Sequence, residues 1–114
     1  MKQITELTND SKQLYTVIGE NGEQIIFNLY YYPTQESWYF DISYLNTTIN
    51  GLKLTNFPNI LRQWKNILPF GLACTVTDGF DPYYIDDFVT GRVKVYLLNS
   101  SDVVTIEQQV FLNV

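Results

Sequence analysis

The chain has 114 residues, with nine Tyr, seven Phe and two Trp, no histidine and a single cysteine, Cys74. Its net charge is -5, and its seven basic residues (Lys2, Lys12, Lys53, Arg62, Lys65, Arg92, Lys94) form no run, which argues against direct DNA or RNA binding, since phosphate contacts need grouped Lys and Arg. The missing histidine removes Ser-His and Cys-His catalysis and every His-based metal site, and one cysteine makes neither an intrachain disulfide nor a zinc cluster.

A chain of this length buries roughly two-thirds of the surface its unfolded form exposes, so one domain over residues 1–114 is expected. No repeat, linker or low-complexity tract divides it. The start, MKQITELTND, lacks the apolar run of a signal peptide. No stretch approaches the roughly 20 apolar residues of a membrane helix. The expectation is a chain made in the cytoplasm and kept out of the membrane.

Residues 1–12 read as an N-terminal segment. Leu14–Ile18 and Gln24–Leu29 are β-rich runs joined around Glu20-Asn21-Gly22, where Asn21-Gly22 suits the positive φ angles of a type I′ turn. Ile25, Phe27, Leu29 and Tyr31 share one face, and Pro33 ends the strand. Trp38, Phe40, Ile42 and Tyr44 alternate with Tyr39, Asp41 and Ser43, the larger apolar face turning inward. The next strand runs from Ile49 to Leu54, with Gly51 at a bend or bulge.

Pro58 then suits a helical first turn, and Ile60, Leu61, Trp64, Ile67 and Leu68 fall on one stripe at helical spacing. A short amphipathic α-helix is expected there, with Trp64 buried against the sheet and with Pro69 and Gly71 as its stop. Leu72–Thr77 is a strand holding Cys74 as a small buried hydrophobe. The acidic aromatic loop DGFDPYYIDDF follows, residues 78–88. Arg92–Leu98 alternates again, with Val93, Val95 and Leu97 on one face. Asn99–Asp102 reads as a turn and Val103–Leu112 as a final strand. The sum is a mainly β fold, a small antiparallel β-barrel or sandwich of about seven strands with one short amphipathic α-helix.

The search for chemistry returns little. No GxGxxG, GxxxxGK or GxSxG pattern is present, and no catalytic residue or cofactor site is assigned. Asp78, Asp81, Asp86 and Asp87 offer hard oxygen ligands, but their spacing does not match a calcium loop. They read as turn-capping carboxylates, with no metal expected. The aromatic clusters Tyr30-Tyr31-Tyr32, Trp38-Tyr39-Phe40 and Tyr83-Tyr84 each split between two faces. One face of each belongs to the core; the other is free for a partner or a neighbouring subunit.

The order of these elements carries more than any one of them. Trp38-Tyr39-Phe40-Asp41-Ile42 is followed by Ile49-Asn50-Gly51 through Leu54, then by Ile60-Leu61 through Trp64. Gly71-Leu72, Thr77-Asp78-Gly79, Pro82 and Asp86-Asp87-Phe88 complete the series. Over residues 13–98 this order resembles the phage baseplate plug family of contractile-tailed phages. Phe88-Val89-Thr90-Gly91 stands where that family has a tighter Leu-Gly, and 99–114 is an extension beyond the likeness. The resemblance implies a non-enzymatic virion protein, made in the host cytoplasm and seated at the tail axis near the central hub and spike. Its implied partners are other tail proteins (hub, spike and tube), with self-association also open. Phe80, Tyr83, Tyr84 and Phe88 are the candidate contact residues, because loops carry binding more often than core strands do. A carbohydrate-binding module of a receptor-binding tail part is the alternative, which a planar row of exposed aromatic rings would favour.

Overall fold

The computed structural model describes residues 2–19 and 22–111. Among them, seven strands form two antiparallel sheets. Strands β2 (Lys12–Ile18), β3 (Gln24–Tyr32), β4 (Ser37–Tyr44) and β5 (Thr47–Lys53) make a meander in sequence order. The second sheet has the order β1 (Lys2–Gln3), β7 (Val93–Leu98), β6 (Gly71–Val76). The two sheets are not closed into a barrel, so the sandwich is the alternative the chain adopts.

Period-2 alternation fixes which side faces inward. Ile25, Phe27 and Leu29 of β3 meet Trp38, Phe40 and Ile42 of β4 on the inner face, and Leu72, Cys74, Val93 and Val95 line the opposing sheet. Ile4, Leu54, Leu61, Leu68 and Phe70 fill the gaps from the connecting segments. Each such aliphatic or aromatic side chain contributes roughly 1.5–3 kcal/mol through burial. Burial also pushes the Cys74 thiol up to about 12, in keeping with an inert core residue.

Two glycines hold the meander in register. Gly19 N–H donates to Glu23 O at 2.8 Å and Gly22 N–H to Gly19 O at 3.1 Å, with Gly22 at φ 84°. These bonds close the β2–β3 hairpin at Gly19 and Glu23, while the expected type I′ turn at Asn21-Gly22 rests in part on a residue outside the described set. Glu20 and Asn21 lie outside the described residues. On β5 the expected irregularity is a bulge opposite Phe40 and Ile42, where Gly51 has φ 74° and its N–H reaches Asp41 Oδ1 at 2.8 Å.

Two expectations are corrected. The amphipathic α-helix expected near residues 58–68 is a 3₁₀ turn, Arg62–Trp64, held by i→i+3 bonds such as Trp64 N–H to Leu61 O at 2.9 Å. Its first donors are taken elsewhere. Phe57 pairs with Cys74, Ile60 N–H donates to Leu72 O, and buried Asn59 accepts Leu61 N–H and Leu72 N–H at Oδ1. The segment hugs the outer edge of β6, which leaves Trp64 only partly buried and Ile67 exposed.

The final strand expected at Val103–Leu112 is instead helix α1 (Ser100–Ile106), continued by a π-helical turn, Glu107–Phe111; residues 112–114 are outside the described set. Asn99 and Asp102 form a reciprocal capping box, each side chain accepting the other's backbone N–H. That cap nucleates the helix despite its β-branched run. Glu107 then docks α1 onto the 3₁₀ turn through Arg62 (2.8 and 3.2 Å) and Lys65 (3.3 Å). At the N-terminus β1 pairs with β7 and delivers Ile4 to the core.

Candidate interaction surface

Residues 77–92 connect β6 to β7, and the connection is built around one cation. Thr77 N–H bonds Arg92 O at 3.1 Å across its base. Arg92 grips Asp78 with a fork, Nε to Oδ2 and Nη2 to Oδ1, both at 3.0 Å. Its Nη1 donates to Asp87 Oδ2 at 2.9 Å, and Nη2 also reaches the carbonyls of Phe80 (2.8 Å) and Asp81 (3.3 Å). The guanidinium lies 4.1 Å from the centre of the Tyr83 ring. A planar, permanently charged fork is the group that can make all these contacts at once. Arg92 holds the Asp78 carboxyl below its usual range, and Asp78 raises the guanidinium in return.

Asp87 is the inner pole of the cluster, with 1% of its surface exposed. Its Oδ2 accepts the Tyr83 and Tyr84 N–H groups, both at 2.8 Å, in addition to Arg92. Asp81 Oδ1 accepts Asn56 N–H at 2.8 Å, tying the loop to the segment that covers β6. Tyr31 Oη donates to Tyr83 O at 2.6 Å and Trp38 Nε1 to Tyr84 O at 3.0 Å, so inner-face residues of β3 and β4 hold the loop from below. Buried Pro82 and the Phe88 ring, 4.9 Å from Trp38, complete the seat.

A loop with its backbone fixed so thoroughly turns apolar side chains outward. Phe80 is 66% and Tyr84 54% exposed, and Ile85 and Val89 are exposed beside them. The four candidates from sequence thus divide. Phe80 and Tyr84 face solvent, whereas Tyr83 lies against Arg92 and Phe88 packs on Trp38. Ile85 and Val89 were not singled out in the sequence, nor was Arg92. Its signal was available: it is the first basic residue after an acidic stretch, where a lone cation gathers carboxylates.

Asp78, Asp81 and Asp87 are occupied as turn and cation partners. Among the described residues, no group of three or more His, Cys, Asp or Glu side chains is placed to hold a metal ion. On the outer face of the meander, Tyr30, Tyr32 and Tyr39 lean on one another. The Tyr30 and Tyr39 rings lie within 17° of parallel, but the Tyr32 ring between them stands at 72° to Tyr30 and 54° to Tyr39, so the three make no single planar row.

A β-sandwich whose polar cluster braces an exposed apolar loop is a protein that presents a surface. The chain belongs to the family described as cyanophage baseplate Pam3 plug gp18, whose model matches residues 1–100. It is therefore a structural protein of the phage baseplate, a component of the tail that interacts with other tail proteins. The match reaches across both sheets and ends at the start of α1. No curated protein matches the chain.

Proposed function

We propose that this protein is the plug of the baseplate, seated at the tail axis near the central hub and spike, where it acts through protein–protein contacts without catalysis. The observation that carries the reading is the Arg92-braced loop. Phe80, Tyr84, Ile85 and Val89 are apolar side chains held out on a backbone that several side chains fix from within. Ordering a loop on binding costs affinity, and a loop ordered beforehand avoids that cost. Aromatic side chains with few rotatable bonds are the usual anchors of such contacts. Phe80 and Tyr84 are the anchors in this reading, while Tyr83 and Phe88 position the loop. The sugar-binding alternative finds no support in the tyrosines of the outer face, whose rings do not lie in one plane.

The test is assembly. A phage carrying a deletion of this gene should build incomplete, non-infectious tails, and restoring the gene should return the protein to purified particles. The double variant Phe80→Ser/Tyr84→Ser should fold normally and fail to restore infectivity. Infectious particles from the deletion phage would refute the plug reading. Full rescue by the double variant would remove the loop from it.

A further inference from the structure

The β6–β7 loop carries a charge as well as an apolar surface. Residues 77–92 hold four carboxylates, Asp78, Asp81, Asp86 and Asp87, against one cation, Arg92, which leaves a net charge of -3. No other Lys or Arg occurs between Lys65 and Lys94, and Lys94 is on the outer face of β7 between the buried Val93 and Val95. Arg92 is fully occupied. Its donors go to Asp78, Asp87 and the carbonyls of Phe80 and Asp81, and its side chain is 12% exposed. It does not turn outward to neutralise the remaining acids.

The four acids are not equivalent. Asp78 and Asp87 share the guanidinium, and Asp81 accepts the Asn56 N–H at 2.8 Å. Asp86 is exposed, and among the described residues its carboxylate has neither a donor nor a cation as partner. Its carbonyl accepts Thr90 N–H at 3.0 Å, which fixes its backbone. Tyr84 and Ile85 precede it and Val89 follows, all exposed. The surface thus sets an unpaired carboxylate directly among the apolar side chains.

We infer that the partner of this loop is a different tail protein, with an apolar recess rimmed by Lys or Arg, and that Asp86 is the residue that meets the rim. This rests on the plug reading above and adds to it the chemistry of the partner. Burying the apolar side chains takes water away from the carboxylate beside them, which is costly unless a cation faces it. A second copy of this chain does not supply that cation. Loop against loop would set -3 against -3. Three grooves of the sandwich large enough to receive side chains carry no positive excess. One of about 280 Å³ has Lys2 with Glu23 and Asp102, and the N-terminal ammonium that lowers the Asp102 carboxyl brings it to neutrality. Another of about 340 Å³ has Glu23 alone, and a third of about 280 Å³ has Glu6 and Asp10 against Lys12. Charge therefore favours another protein over self-association.

Asp86→Lys tests the charge without touching Phe80 or Tyr84. Its site is exposed, so the purified variant should melt within about 3 °C of the wild type. Its amount in particles from a complemented deletion phage should fall by about tenfold or more. Incorporation at the wild-type level overturns the inference and leaves the plug reading intact. Absence of the wild-type protein from particles refutes both. Asp86→Asn, which keeps the side-chain shape, covers the case in which Asp86→Lys does not fold. Rebinding to baseplates purified from the deletion phage should be faster for the wild type than for Asp86→Asn in about 0.1 M salt. The two rates should meet in about 1 M salt, where the screening length has fallen from about 10 Å to about 3 Å. A rate ratio that salt leaves unchanged, or equal rates at both concentrations, contradicts the proposal. So does a dimer of the isolated chain that Asp86→Lys dissociates, which would seat a second copy on the loop.

Discussion

Replacing Asp87 by alanine should be the most damaging single change in the interaction loop. One oxygen, Oδ2, accepts three hydrogen bonds of 2.8–2.9 Å, from the Tyr83 and Tyr84 amides and from Arg92 Nη1. The carboxylate is buried and the Arg92 side chain is 12% exposed, so neither half of the pair is well served by water. Removing one partner of a buried ion pair costs about 3–5 kcal/mol, because the other charge and its donors stay behind unpaired. For a domain of this size roughly 4 °C of melting temperature accompanies each kcal/mol, a fall of about 12–20 °C. Asp87→Asn keeps an acceptor for the two amides but loses the charge facing Arg92, so it should fall between the alanine variant and the wild type. Thermal denaturation followed by circular dichroism, supported by urea titration, measures both. A drop below about 4 °C for Asp87→Ala would mean that Arg92 does not brace the loop through Asp87.

Four further outcomes follow from the same geometry. A Cβ on Gly71 would lie 2.6 Å from Asn59 Oδ1, a buried acceptor that cannot retreat, so Gly71→Ala should cost about 1–3 kcal/mol in urea denaturation. Leu61→Ala, at a fully buried site, should cost about 2–5 kcal/mol. Trp64→Ala, at a partly buried one, should cost less than Leu61→Ala, and the reverse order in chemical denaturation would restore the buried-helix orientation. Leu45 has φ 52° at a hairpin tip and is 74% exposed; Leu45→Asn should raise stability by about 0.5–1 kcal/mol, since asparagine tolerates the left-handed region. The Asp78 carboxyl is depressed by Arg92 in the folded state. Its contribution is therefore present above the unfolded carboxylate value of about 3.9 and lost as pH falls through the lower folded value. Denaturation midpoints of Asp78→Asn and the wild type should differ at neutral pH and converge in strong acid, and a constant gap would contradict this.

The β-meander was legible in the sequence because its code is local. Alternation in Gln24–Tyr32 and Ser37–Tyr44 states which side chains go inward, and Gly22 and Gly51 mark where the ladder turns or bulges. The segments that failed are those whose conformation is set by distant partners. Ile60 through Leu68 has the spacing of a helix, yet β6 takes its early donors for edge pairing, a competition that the spacing does not record. Val103–Ile106 has the composition of a strand, but the Asn99–Asp102 box starts a helix before that composition acts. The candidate site was half legible. Phe80, Tyr83, Tyr84 and Phe88 all lie on the β6–β7 loop, but which of their rings face out depends on Arg92 at the loop's end and on Tyr31 and Trp38, which reach it from β3 and β4.

Electron cryomicroscopy of the intact tail tip tests the central claim most directly. The account predicts density for this sandwich on the tail axis beside the hub and spike, with Phe80 and Tyr84 buried against another subunit. A sandwich at the baseplate periphery, or an axial one whose Arg92-braced loop faces solvent, would contradict it.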